Sequence, residues 1–206
     1  MLILYYTPGA CSRASHLALR EANARFELRA VDFSVSEQRS AEYLRINPKG
    51  RVPALATDRG IITENPAILA YVAQTHPEAR LAPLDDPFLF ARMQSFNSYL
   101  CATVHVAHAH LRRAERWADD PAAQAELRRK APSVVDGCFQ LIENEFLEGP
   151  WVLGQGYSVA DVYLFTLTQW LPLHRLDLAR YPRVAEHHAR MLARPAVQAT
   201  LQAEAV

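Results

Sequence analysis

The chain has 206 residues, enough for one large domain or two small ones with a buried core, which excludes a peptide-scale fold. Its 22 basic and 22 acidic side chains cancel overall, and the parts on either side of residue 80 are each nearly neutral, so neither a nucleic-acid partner nor an acidic lipid surface is expected. Half of the residues are apolar and 21% are charged, the balance of a soluble globular protein. No apolar run approaches the roughly 18–20 residues of a membrane span. The start, Met1 to Cys11, lacks a basic leader. A cytoplasmic location is the expectation. Cys11, Cys101 and Cys138 are odd in number and far apart, so neither a disulfide framework nor a paired-cysteine metal site is predicted.

Up to about residue 75, strand-like and helix-like patterns alternate. The apolar run 2–6 is of strand length and breaks at Thr7-Pro8-Gly9, after which Ala14, Leu17, Ala18 and Glu21 follow at helical spacing. Phe26, Leu28 and Ala30 alternate with Glu27, Arg29 and Val31 as a second strand. Residues 37–46 read as a short amphipathic helix stopped by Asn47-Pro48-Lys49-Gly50. Residues 52–56 and 61–63 flank Thr57-Asp58-Arg59-Gly60 as a β-hairpin, and Pro66 suits the first turn of another helix. The order βαβαββα requires a right-handed crossover to a parallel pair, plus antiparallel strands from the hairpin. That is a thioredoxin-like mixed sheet.

Pro77, Pro83 and Pro87 with Asp85 and Asp86 give residues 76–87 a linker composition, and beyond them only helical patterns occur. The predicted division is therefore a thioredoxin-like domain over 1–77, a linker over 78–86 and an all-helical domain over 87–206, an α+β fold. Met93, Phe96, Leu100, Val104, Ala107, Leu111 and Ala114 predict one long helix from about 87 to 117. A second spans about 121–147. A third opens at Ser158-Val159-Ala160-Asp161 and is apolar nearly all round until Pro172, so it should form the centre of the helical domain. Pro182 and Pro195 punctuate two short final helices.

Three features carry chemistry. Cys11 and Ser12 sit where the first helix begins, and unpaired amides with the positive end of the helix dipole favour a thiolate there. A small buried cysteine with a capping serine would read the same. Val52-Pro53, after the Asn47–Gly50 turn, offers an exposed main-chain edge, or simply a proline at a strand entrance. Glu64-Asn65-Pro66 opens a helix and suits an anionic group, or merely caps it. Two anion-favouring helix starts and a main-chain edge at one end of a thioredoxin-like sheet suit an extended, carboxylate-bearing thiol peptide.

In Tyr5-Tyr6-Thr7-Pro8-Gly9-Ala10-Cys11-Ser12, Asn47-Pro48-Lys49-Gly50-Arg51-Val52-Pro53-Ala54-Leu55, Thr63-Glu64-Asn65-Pro66-Ala67-Ile68 and Ser158-Val159-Ala160-Asp161-Val162-Tyr163-Leu164, the chain resembles soluble glutathione transferases, most of all the bacterial beta class. The resemblance implies a cytoplasmic homodimer with glutathione as co-substrate, a small electrophile as second substrate and no metal. It places Cys11 beside the glutathione sulfur and gives Val52, across a cis Pro53, the cysteinyl main chain. Glu64 and Asn65 receive the γ-glutamyl end, with asparagine where serine is usual. Arg51 joins the glutathione-binding set.

Ser98, Cys101, His105, His108 and Arg112 recur at spacings of three and four, a polar stripe on the long helix able to wall the site. His105 matches the histidine of the beta class, but Val106 stands where its lysine is expected. His108 and His110 have no carboxylate or second thiolate in register for a metal. Ser158 and Asp161 have capping-box spacing, a structural role. Ser12 and either Tyr5 or Tyr6 are further candidates for thiol activation, since strand alternation lets only one of the two tyrosines face the site. The implied activity is conjugation of the glutathione thiolate to electrophiles, with thiol-disulfide exchange through Cys11 as a further use of the site. A non-catalytic binding or assembly module, or an isomerase or dehalogenase of the same superfamily, are the alternatives.

Overall fold

The computed structural model describes residues 1–205. Strands β1 (Leu2–Tyr6), β2 (Phe26–Ala30), β3 (Ala54–Thr57) and β4 (Gly60–Thr63) form one sheet in the order β2-β1-β3-β4. β1 runs parallel to β2, with Leu4 opposite Leu28, and antiparallel to β3, with Leu4 opposite Leu55. The mixed thioredoxin-like sheet follows from the crossover through α1 (Ser12–Glu21) and the tight β3–β4 hairpin. Between β2 and β3 the predicted helix is shorter than its pattern. Ser40 has extended backbone and its hydroxyl takes the Tyr43 amide, so a 3-10 turn (Glu37–Arg39) ends and α2 (Ala41–Ile46) begins anew.

Helix α3 (Asn65–Thr75) closes this half and packs on α1. The residues after it are not a free linker. Pro77–Ala79 form a 3-10 turn, Leu81 is buried, and its carbonyl accepts the Val159 amide at 2.8 Å. In the helical half, α4 (Pro87–Tyr99) passes through a wider π-type turn (Leu100–Val104) into α5 (His105–Arg112). The long helix thus ends earlier than its apolar recurrence predicts, because Arg113 leaves helical geometry and a separate 3-10 turn (Ala114–Arg116) follows. α6 (Pro121–Leu141) continues into a second π-type turn (Ile142–Phe146), covering the predicted 121–147 segment. Every residue of α7 (Val159–Thr168) is buried, as its all-round apolarity requires, and α8 (Pro182–Leu192) and α9 (Pro195–Ala203) begin at their prolines.

One core joins the halves: Leu4, Leu17 and Leu69 of the sheet side belong to the same buried cluster as Met93, Phe139 and Phe165. α1 lies against both α3 and α7. A second small cluster of Val31, Tyr43 and Val52 packs behind the edge of the sheet. Among the described residues no helix is long and apolar enough to cross a membrane.

Candidate active site

A cleft of about 870 Å³ opens between the β1–α1 turn, the segment around Val52, the start of α3 and the helical wall of α5 and α7. Two glycines shape its rim. Gly9 turns the chain out of β1 at φ +69°, and Gly50, at φ +60°, lies where a Cβ would stand 2.9 Å from the Gln38 carbonyl oxygen. Arg51 follows, its carbonyl held by the Tyr43 hydroxyl (2.8 Å) and the Asn47 side-chain amide (2.6 Å). This fixes the approach to Val52 and the cis Val52-Pro53 bond, both of which line the cleft.

The cleft brings together Cys11, Arg51, Val52, Pro53, Glu64, Asn65 and His105. The Cys11 thiol donates to the Val52 carbonyl at 3.2 Å, joining the first turn to the main-chain edge. Its electrostatics differ from the expectation. Burial, then the proximity of Cys101 and Glu64, push its pKa up to about 12, and the nearby amides only partly oppose this. Desolvation outweighs the helix start, so Cys11 is a protonated thiol at neutral pH.

Ser12 is not placed to activate a ligand thiol. It is fully buried, its hydroxyl donates to the Thr7 carbonyl (3.2 Å) and accepts the Thr7 amide (3.1 Å), and it stands outside the cleft lining. Neither Tyr5, edge-on to Tyr43, nor Tyr6, edge-packed near His16, lines the cleft. Asn65 also departs from the expected role. A carbonyl oxygen only accepts, so its Nδ2 must face the Cys11 carbonyl (2.9 Å), and its Oδ1 takes the Ser15 hydroxyl (2.7 Å). The side chain laces α1 to α3, which leaves its second Nδ2 hydrogen and the main chain of the helix start for a ligand.

Glu64 sits at φ +74°, a region few non-glycine residues occupy, and such strain collects at ligand sites. Its carboxylate is half-exposed at the mouth and pairs with Lys49 at 2.5 Å. On the opposite wall Cys101, His105, His108 and Arg112 of the predicted stripe all face the cleft; Ser98 does not. His105 packs on Trp170 at 5.2 Å. Burial, with the charges of Arg116 and Arg51, pushes its pKa down to about 4, so its ring is neutral at physiological pH. His108 is buried against His174, Nδ1 to Nε2 at 2.9 Å, and among the described residues no third possible metal ligand joins the pair.

Two groups escaped the sequence reading. Tyr163, on α7, is fully buried and lines the cleft, and its hydroxyl, close to Cys101 and Asn65, makes no hydrogen bond of normal geometry among the described residues. A tyrosine inside an all-apolar helix was the available signal. Glu204, at the end of α9, reaches back to the first turn, accepting from the Gly9 amide (3.0 Å), Arg13 Nε (2.9 Å) and His16 Nδ1 (3.0 Å). Nothing local in its sequence marks it.

A thioredoxin-like sheet whose cis-proline edge and thiol-bearing turn face a helical bundle across a shared cleft defines a two-part thiol-handling fold. The family models of the glutathione S-transferase N-terminal domain and C-terminal domain match residues 1–74 and 99–195. Glutathione S-transferase GstA of Escherichia coli O157:H7 is 34% identical, over 98% of each chain. A glutathione transferase homologue from Sulfitobacter, solved with bound glutathione, superposes with a TM-score of 0.96 at 41% identity, covering 100% of this chain and 99% of its own. A bacterial beta class glutathione S-transferase from Sphingomonas chungbukensis gives 0.86 at 36% identity, covering 98% of each. The chain belongs to the glutathione S-transferase family.

Proposed function

We propose that the protein conjugates the thiolate of glutathione to small electrophiles in this cleft. The observation that carries the reading is the contact between Cys11 and the Val52 carbonyl, because it sets the amide-rich elbow directly beside a main-chain edge that lines the cleft. A cysteinyl main chain paired with Val52 would then carry its sulfur to the elbow. Glu64 and the main chain at the start of α3 would hold the γ-glutamyl end, and Arg51 the glycyl carboxylate.

The chemical task is to lower a thiol pKa from roughly 8.5 so that thiolate is present at pH 7. Val106 supplies no charge. In its place Arg51 and Arg116, both close enough to depress His105, give the positive field, and the neutral His105 ring offers a hydrogen bond to sulfur. A cytoplasmic homodimer belongs to the same reading and rests on family membership.

Replacing Cys11 by Ala tests the assignment. Conjugation of 1-chloro-2,4-dinitrobenzene should persist within a few-fold, while any reduction of a glutathione mixed disulfide disappears. Loss of both would make Cys11 essential to conjugation. A wild-type protein that neither conjugates nor is retained on immobilised glutathione would be a binding or assembly module instead.

Tyr163→Phe supplies a second check. Because the hydroxyl is buried and its neighbours Cys101 and Asn65 give it no hydrogen bond of normal geometry, its removal should leave the urea midpoint of the unliganded protein unchanged or raise stability by up to about 1 kcal/mol. If the bound peptide satisfies that hydroxyl, calorimetry should show glutathione affinity falling by roughly three- to tenfold. Equal losses in stability and affinity would make Tyr163 a packing residue.

A further inference from the structure

We propose that the electrophile this cleft selects is a planar, conjugated compound carrying a carboxylate or similar anion, held by Arg112, Arg113 and Arg116 on the helical wall. The inference rests on the glutathione reading and names its second substrate class. Formal charge is zero over the whole chain, yet the cleft gathers positive charge on one side. Its linings include Arg13, Arg51, Arg112, Arg113 and Arg116 but only one carboxylate, Glu64. Arg13 is neutralised by Glu204, and Glu64 is engaged by Lys49. Among the described residues no carboxylate forms an ion pair with any of the other four arginines. Glu115, the nearest in sequence, lies 3.9 Å from Arg128 and offsets the charges crowding Arg116 only in part.

One glycyl carboxylate would answer Arg51, leaving three guanidinium groups over. Favourable placement at the C-terminal end of α5 accounts for Arg112, whereas Arg116 lies beyond the helix. There it is crowded by Arg51 and Arg113, with burial the larger cause and their like charge the next in lowering its pKa. A bound anion relieves that repulsion. The same wall supplies flat apolar surface: Trp170 against His105 and His108, and a part-exposed Trp117 whose ring centre is 4.4 Å from that of His110. Aromatic faces and forked cations together fit a conjugated acid better than a neutral alkyl halide.

The test compares 4-chloro-3,5-dinitrobenzoate with its methyl ester, which share the chlorodinitrophenyl ring but differ in charge, in a methyl group and in activation of the ring. In conjugation the thiolate sulfur attacks the carbon bearing chlorine, the C–S bond forms and the C–Cl bond breaks. Chloride leaves with its electron pair, and the thiol proton passes to solvent. Binding is read separately, by equilibrium dialysis with saturating S-methylglutathione, which cannot react. At low salt the carboxylate should bind at least about tenfold tighter than the ester, the size of one or two charge-assisted hydrogen bonds. The preference should shrink toward twofold in Arg113→Gln/Arg116→Gln, and in the wild type at about 0.5 M NaCl. Equal binding of acid and ester, or an undiminished preference in the double variant, overturns the inference. A binding preference without conjugation of either compound supports the anion site and overturns the transferase reading instead.

Discussion

Asp161→Ala is expected to destabilise the protein by on the order of 3–5 kcal/mol, a large share of a typical total of about 5–15 kcal/mol. Asp161 is fully buried at the first turn of α7 and is a junction rather than a simple cap. Its Oδ2 accepts the Ser158 amide (2.8 Å) and hydroxyl (3.2 Å), and its Oδ1 accepts the Val152 amide (2.8 Å) and His187 Nε2 (3.0 Å). Alanine strands two buried backbone amides and an imidazole without water to replace the carboxylate, and such orphaned donors cost about 1–3 kcal/mol each before relaxation. Asp161→Asn keeps one oxygen but turns an NH2 group toward donors, so roughly half of the loss should remain. Urea unfolding followed by tryptophan fluorescence measures both. A loss under about 1 kcal/mol for the alanine variant would mean that α7 is held by packing alone. Because α7 touches α1 and carries Tyr163 at the cleft, activity in surviving protein should fall mainly through the folded fraction.

The mixed sheet, the hairpin and the buried α7 were legible because each rests on a local signal: a strand-helix-strand crossover, a turn glycine, apolarity on every side. The polar stripe of the long helix was legible for the same reason, and four of its five residues do face the cleft. What could not be read depends on atoms far apart in sequence. Cys11 sits at a helix start, which alone would favour its thiolate, but the side chain lies between Val52 and Cys101, and burial reverses the sign. Asn65 has a donor and an acceptor to offer a ligand, yet the Cys11 carbonyl takes an amide hydrogen and the Ser15 hydroxyl occupies the amide oxygen. The π-type turn at Leu100–Val104 and the helix end at Arg112 leave the apolar recurrence almost unaltered, so periodicity alone carries the helix past both. Arg113 and Arg116 face the cleft from beyond that end.

The contact most distant in sequence should have the most direct effect on the active-site turn. Replacing Glu204 by Ala is expected to cost on the order of 3–5 kcal/mol and to weaken glutathione binding beyond what unfolding explains. Gly9 is held at both of its main-chain polar groups: its amide donates to Glu204, and its carbonyl accepts the Trp170 indole N–H at 3.0 Å. Arg20 Nε donates to His16 Nε2 at 3.0 Å, so His16 must present Nδ1–H to Glu204, and the carboxylate therefore answers three donors. Without it, Arg13 is left partly buried with only Gln169, and the turn from Thr7 to Cys11 loses its fixed register against Val52. Burial raises the Glu204 pKa, but the bonds from His16, Gly9 and Arg13 together outweigh it and hold the group below its ordinary value of 4.5. A depressed acid contributes stability that is fully present above 4.5 and is lost as pH falls through the lower folded value. Wild-type protein should therefore lose an increment of stability below about pH 4.5 that Glu204→Gln, lacking the ionisation, does not show. Parallel urea titrations at pH 7 and pH 4 measure that increment, and glutathione titration of the folded variant measures the turn. Identical acid profiles for the two proteins, with unchanged glutathione affinity in the variant, would reduce Glu204 to an ordinary tail contact.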